Sequence, residues 1–167
     1  KLKRGKSMDE KLLRLLEENA RLSNKELAAA LGVSEQEVAD EIKLLENTGV
    51  IKAYKAFIDT EKTSKQTVTA LIELKIRPKY GRGFDDLAER ISQMEEVESI
   101  YLMSGAFDLT VFVTDKSFHD VAMFIAKRLS PLEGVVSTAT HFILKKYKEN
   151  GVLMADEPVD DRGTVSL

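Results

Sequence analysis

The sequence predicts an α+β protein of two units, three helices followed by a β-α-β-β-α-β run. Three observations carry this reading. Two capping boxes, Ser23 with Glu26 and Ser34 with Glu37, are joined through Leu31-Gly32-Val33. A polar stretch, TEKTSKQ at 60–66, separates the halves and is the expected linker. Beyond it, the hydrophobic period switches repeatedly between 2 and 3.6.

Residues 9–19, DEKLLRLLEEN, are expected to be the first helix. Leu12, Leu13 and Leu16 lie on one side, Met8 and Ala20 extend the stripe, and Asp9 suits the positive end of the helix dipole. The second helix falls within 23–32, with Leu27, Ala28 and Leu31 as its stripe and Gly32 as a left-handed stop. Val33 plugs the turn. Ser34 caps a third helix that places Val38, Ile42 and Leu45 on one face and ends at Gly49. Two helices around a short Gly-containing turn, after a first helix, are the layout of a helix-turn-helix DNA reader. A trihelical packing module without a DNA role shares the pattern. Residues 50–59, VIKAYKAFID, alternate as a strand, with Val50, Ala53 and Phe57 apolar.

In the second half, TVTALIELKIR at 67–77 alternates as a strand. Val68, Ala70, Ile72, Leu74 and Ile76 face one side, while Thr67, Thr69, Leu71, Glu73, Lys75 and Arg77 face the other. Phe84, Leu87, Ala88, Ile91 and Met94 recur at helical spacing over 84–94. Strands are expected at 97–103 and 108–113, joined by Ser-Gly-Ala-Phe. A helix marked by Phe118, Val121, Ala122, Ile125 and Leu129 follows, and a last strand covers 135–147. That order is a ferredoxin-like βαββαβ unit with both helices on one sheet face. The other face would leave Leu71 and further apolar residues in water, so a dimer with sheets packed face to face, assembling further, is expected. The expected boundaries are 1–7 (an expression tag or a basic arm), 8–50, 51–66, 67–148, and an acidic tail at 149–167 without periodicity.

Composition narrows the function. In 167 residues, 43% are hydrophobic, enough for a core, and cysteine is absent, which excludes disulfides, thiol nucleophiles and thiolate metal sites. His119 and His141 are the only histidines, so no zinc site or other cofactor is expected. No uncharged run approaches the roughly 18 residues of a membrane span, and no signal-like segment is present. A soluble cytoplasmic protein is the expectation. Net charge is −3, unevenly spread: residues 1–7 carry Lys1, Lys3, Arg4 and Lys6 without an acid, while the helix-turn-helix segment and the tail are acidic.

A helix-turn-helix, a strand linker and a ferredoxin-like domain in this order resemble the Lrp/AsnC, or feast/famine, transcriptional regulators. The residues that carry the resemblance are LAAALGVSEQEV at 27–38, IKLLENTGVIKAY at 42–54, YLMSGAFDL at 101–109 and STATHFILKKYK at 137–148. The ending Ser-Thr-Ala-Thr-His-Phe is most similar to Gram-positive members. The resemblance implies an N-terminal domain that binds double-stranded operator DNA as part of a dimer. It implies a C-terminal domain that dimerises, builds octamers and senses a small molecule, typically an amino acid, between dimers. The effector loop falls on Ser104, Gly105, Ala106, Phe107 and Asp108, and the paired threonines on Thr138 and Thr140.

Each residue also has a plainer role. Gly105 suits a tight turn that needs a positive φ, and a ligand role would rest on the open backbone amides a glycine leaves. Asp108 caps that turn or pairs with an effector's amino group. Thr138 and Thr140 are ordinary strand residues whose hydroxyls share one face. His141 is expected on the opposite face as a structural residue, and His119 on the surface.

DNA binding rests largely on Lys and Arg neutralising phosphates. Here the third helix offers Glu35, Glu37, Asp40 and Glu41 against Lys43 alone, with Glu41 standing where the family commonly has Arg. The expected contacts are Ser23, Asn24 and Lys25, then Ser34, Gln36 and Lys43, and Lys52 and Lys55 on the linker strand. Weak, salt-sensitive binding per site is expected, made useful by linked domains. Two other readings stay open: an effector-binding oligomer that acts on DNA only through a paralogue, and an enzyme subunit of the sirohaem decarboxylase layout.

Overall fold

In the computed structural model the described residues are 2–78 and 83–154, with the side chains of 2–7 and 61 left aside. The chain divides into two compact units, Lys1–Ile58 and Asp59–Leu167.

The first unit holds α1 (Leu2–Glu18), α2 (Asn24–Leu31) and α3 (Glu35–Asn47). Helix α1 starts earlier than expected and runs through much of the segment read as an arm; no proline interrupts 2–18, and most of its residues are good helix formers. Both capping boxes close. The Glu26 amide donates to Ser23 Oγ at 3.3 Å while the Ser23 amide donates to Glu26 Oε2 at 2.7 Å. The Glu37 amide donates to Ser34 Oγ at 3.2 Å while the Ser34 amide donates to Glu37 Oε2 at 2.9 Å. Gly32 stops α2 at φ 71°, and its amide donates to the Ala28 carbonyl at 2.9 Å. The turn this creates brings Leu27, Ala28, Val38 and Leu45 together with Leu12 and Leu16 of α1 in one apolar cluster.

The strand expected over 50–59 does not form. The segment has no regular secondary structure and joins no ladder, because nothing in its own unit offers a strand edge to pair with. Val50, Tyr54, Phe57 and Ile58 are consequently exposed.

The second unit contains β1 (Val68–Ile76), α4 (Asp85–Ser92), β2 (Val97–Leu102), β3 (Leu109–Asp115), α5 (Phe118–Phe124) and β4 (Val135–Phe142). The sheet order is β2-β3-β1-β4 with every neighbouring pair antiparallel, the ferredoxin-like arrangement. Ala70, Ile72, Leu74 and Ile76 of β1 and Leu109, Val111 and Val113 of β3 face Leu87 and Ile91 of α4 and Val121 and Phe124 of α5. Both helices therefore cover one face, as their apolar stripes require. The opposite face carries Leu71, Tyr101, Phe112 and Ala139 among polar groups, and Tyr101 meets Phe112 edge-on at 6.2 Å.

Two boundaries depart from the sequence reading. Strand β4 ends at Phe142 rather than Tyr147. A hairpin, β5 (Lys148–Glu149) with β6 (Val152–Leu153), then stands where a featureless tail was expected. Asn150 at φ 46° and Gly151 at φ 85° make its turn, the left-handed pair that Asn-Gly favours. The rest of the expected tail, from residue 155, lies outside the described residues. Helix α5 also passes into a π-helical turn at Ile125–Leu129, where the Ser130 amide reaches back to the Ile125 carbonyl at 2.8 Å. Among the described residues no helix is long and apolar enough to cross a membrane, and no cluster of three or more His, Asp or Glu could hold a metal.

Removing the cap of α3 should be felt across the first unit. Ser34→Ala is expected to cost about 1 kcal/mol of its stability, and Ser34→Asp to retain most of it. Urea unfolding followed by far-ultraviolet circular dichroism reads the difference.

Candidate functional sites

The helix pair of the first unit supplies the candidate DNA-reading surface. Ser23, Asn24 and Lys25 open α2, and Ser34 and Gln36 open α3; all are exposed, as is Lys43 on the third turn. Their side chains are not equally free. Ser23 Oγ donates to Glu26 Oε2 at 2.6 Å and Ser34 Oγ donates to Glu37 Oε2 at 2.7 Å, so both hydroxyls are already committed to capping. Gln36 Nε2 donates to Asp40 Oδ1 at 3.0 Å, which fixes the amide along the helix surface. Lys52 and Lys55 are exposed on the irregular segment after α3, and the Lys52 ammonium lies over Gly49, beside the negative end of α3.

The acidic face expected on α3 is smaller than its sequence suggests. Glu41 is not an exposed acid. It is partly buried and faces Asp9 of α1, whose Oδ1 is buried without a hydrogen-bond partner. Burial, then the Asp9 charge, then the hydrogen bond with Asp9 hold the Glu41 carboxyl above its ordinary value of 4.5. Glu37 is exposed but spent on the cap, and the bonds from the Ser34 amide and hydroxyl hold its carboxyl below the ordinary value. Glu35, Asp40 and Glu46 remain as the outward acids of the helix, Glu46 accepting from the Tyr54 hydroxyl at 3.1 Å. The helical spacing of Glu41 from Val38 and Leu45 signals its inward side; that Asp9 waits there is set by the packing of α1.

The second candidate is the β2–β3 connection. Its ends are pinned: the Met103 amide donates to the Asp108 carbonyl at 2.8 Å, and the Asp108 amide donates to the Leu74 carbonyl at 2.9 Å. Asp108 Oδ2 accepts from the Ile76 amide at 2.7 Å and Oδ1 from Lys75 Nζ at 3.2 Å, while the same ammonium reaches the Ala106 carbonyl at 3.2 Å. The Ile76 amide foremost, with Lys75 adding to it against a partial burial penalty, holds the Asp108 carboxyl below its ordinary value. Asp108 thus anchors the loop from inside this chain, and Ser104, Gly105 and Ala106 stand exposed beyond it with Phe107 half-buried. Gly105 does not have the positive φ expected of it, and a Cβ there would meet nothing within 4 Å. Neither backbone nor space within one chain demands glycine at that position.

The two halves of the expected effector set do not converge in one chain. Thr138 pairs across from Leu74 and Thr140 from Ile72, which puts both threonines on the helix-covered face, half-buried. Lys75, and with it Asp108, lies on the other face. That face also carries a pair missing from the sequence reading: His141 Nε2 and Glu73 Oε2 at 3.1 Å. The spacing of Glu73 and Lys75 signals a shared face, but their partners come from distant strands. A cleft of about 570 Å³ on the helix side, bounded by Ile76, Arg77, Leu87 and Arg90, includes none of the expected effector residues.

Known proteins share both halves of this arrangement. The AsnC-type helix-turn-helix domain matches residues 7–46, and the Lrp/AsnC ligand binding domain matches residues 69–153. An uncharacterized HTH-type transcriptional regulator of Bacillus subtilis, YugG, is 46% identical over 156 residues, spanning 93% of this chain and 94% of its own. Transcriptional regulator NMB0573 of Neisseria meningitidis, solved as an L-Met complex, is 27% identical with a TM-score of 0.70, covering 85% of this chain and 91% of that one. The leucine response regulatory protein LrpA of Mycobacterium tuberculosis is 26% identical with a TM-score of 0.73, covering 89% of this chain and 98% of that one.

Two outcomes test the geometry. The folded state binds the Glu41 proton more tightly than the unfolded chain does, so this group's contribution to stability improves as pH falls through the raised value toward 4.5. Glu41→Gln should therefore melt higher than the parent at pH 7, with the gap closing as pH approaches 4.5; equal melting temperatures throughout would remove the Asp9–Glu41 repulsion. For the loop, Asp108→Ala should speed hydrogen exchange of the Ile76 amide, its partner, while leaving that of Val111 unchanged.

Proposed function

Because the chain belongs to the Lrp/AsnC family of transcriptional regulators, with a helix-turn-helix and a ligand-binding domain, we propose that it is a sequence-specific DNA-binding regulator whose oligomeric C-terminal unit answers to an amino acid. One observation carries the DNA half of this reading. Helix α3 turns Glu41 inward and leaves Gln36 and Lys43 on its exposed surface. In this proposal Gln36 and Asn24 address base edges, and Lys25, Lys43, Lys52 and Lys55 neutralise phosphates. Ser23 and Ser34 act through their capped helix starts, whose amides favour phosphate oxygens. The inward turn of Glu41 also weakens the case for a reader that has lost DNA.

The effector reading rests on the Ser104–Asp108 loop. Asp108 and Lys75 hold it in place, and Gly105 keeps it bare where nothing in its own chain requires a glycine. Such a loop offers open backbone amides to a carboxylate, and the Asp108 carboxylate suits an ammonium. Thr138 and Thr140, on the other face, join the site in this proposal only with a neighbouring chain. The L-Met complex of the Neisseria regulator supports an amino acid as the ligand class.

Homodimerisation completes the proposal, with an octamer as the larger assembly. The unpaired segment exposing Tyr54, Phe57 and Ile58, and the sheet face carrying Leu71, Tyr101 and Phe112, are two surfaces that a second copy would cover.

The test begins with a mobility shift on DNA from the protein's own promoter. Affinity is expected to fall steeply with salt, and Lys43→Ala to lower the logarithmic salt slope by about one. Absence of any shift at about 50 mM salt, over a genomic fragment library, would overturn the DNA half. For the effector half, a thermal-shift screen against the twenty amino acids should find selective binders that Asp108→Asn abolishes.

A further inference from the structure

At the end of the sheet far from the Ser104–Asp108 loop lies a cleft of about 540 Å³, a size ordinary for small-molecule sites. Its position follows from register. Val68 pairs with Asp115, so the chain entering β1 and the chain leaving β3 run side by side and form the two walls. A hydrogen bond between Thr69 and Thr114 hydroxyls at 2.9 Å ties those walls together. The loop of the expected effector lies at the Leu74–Leu109 end of the same ladder, roughly 20 Å away at about 3.4 Å per residue.

The chemistry of the walls is one-sided. Lys65, Gln66 and Thr67 line one and Lys116 the other, and among the described residues no carboxylate belongs to the lining. Neither lysine has an ion-pair partner among the described residues. The acids nearest Lys116 in sequence are occupied: Asp115 Oδ1 accepts from the Lys116 amide at 2.7 Å, and Asp120 Oδ2 accepts from Ser117 Oγ at 2.6 Å in the cap of α5. Two ammonium groups without an ion-pair partner among the described residues, the Gln66 amide and the hydroxyls of Thr60, Thr63, Thr67 and Ser117 around one space, in a chain of net charge −3, suit an anion of high charge density.

The cleft also has an apolar side. Phe118 lines it and is 55% exposed, while its packing partner Phe142 touches it edge-on at 4.9 Å and 68°. Val68 continues that surface. An exposed ring held in place by an edge contact is a platform for another flat ring.

We propose that this cleft is a second small-molecule site, separate from the effector loop, for an organic phosphate that carries a flat ring, the chemistry of a nucleotide. Lys65 and Lys116 take the phosphate, Gln66 and Thr67 add donors to its oxygens, and the ring lies on Phe118. The proposal does not depend on the effector reading, since it shares no residue with that loop.

Calorimetric titration of the full chain with AMP tests it, with inorganic phosphate, adenosine and a short DNA duplex as separate titrants. AMP should bind in the millimolar range or tighter, inorganic phosphate should compete more weakly, and adenosine more weakly still. Joint replacement Lys65→Ala and Lys116→Ala should lower AMP affinity about tenfold or more without moving the melting temperature, and Lys116→Arg should keep it. No heat from AMP up to about 5 mM, or affinity indifferent to the double replacement, would overturn the site. Adenosine binding as well as AMP would overturn the phosphate contact, and phosphate binding as well as AMP would overturn the ring contact. A duplex that binds through the two lysines while AMP does not would assign the cleft to DNA instead and end the proposal.

Discussion

Strand β1 lies between β3 and β4, and its alternation governs the second unit. Ala70, Ile72, Leu74 and Ile76 point into the core, so Leu71, Glu73 and Lys75 have no choice but to point out. A slip of one residue would bury two charges and expose four aliphatic side chains. That cost locks the register on both sides of β1 at once. The register then places Lys75 beside Asp108, Glu73 beside His141, and the paired threonines behind the sheet. The place of the Ser104–Asp108 loop, the open sheet face and the lysine-lined cleft are all consequences of how one strand divides its side chains.

In the first unit, the corresponding constraint is the packing of α1 across the helix pair. Leu12 and Leu16 close the apolar cluster, and the same packing brings Asp9 against Glu41. Two carboxyls forced together work against the stability of this unit at neutral pH. The same arrangement takes one acid off the surface that would meet phosphate. Electrostatic strain inside the unit and reduced repulsion outside it have a single origin.

Several features make little sense in one chain by itself. The segment after α3 exposes Tyr54, Phe57 and Ile58 with no ladder to join, and Gly105 is a glycine without a local reason. Asp108 and the threonine pair lie on opposite faces of the sheet. In the assembly proposed above, another chain would supply the missing strand edge, the close approach, or the rest of a ligand's surroundings.

Much of the fold was legible in the residues alone. Ser23–Glu26, Ser34–Glu37 and Gly32 mark helix ends because a cap is a bond between near neighbours. The order of strands and helices follows from periods of 2 and 3.6, which are properties of local geometry. The Asn150-Gly151 turn was equally local, and its hairpin could have been read from that dipeptide. The failures have a common cause. Whether 50–59 becomes a strand depends on an available edge, and whether Glu41 meets solvent depends on a helix more than thirty residues earlier in the chain. The conformation of Gly105 and the partners of Asp108, Glu73 and His141 likewise depend on strands distant in sequence. Local propensity determined the elements; tertiary packing alone decided their neighbours, because charge, burial and pairing are fixed by what the chain brings close in space.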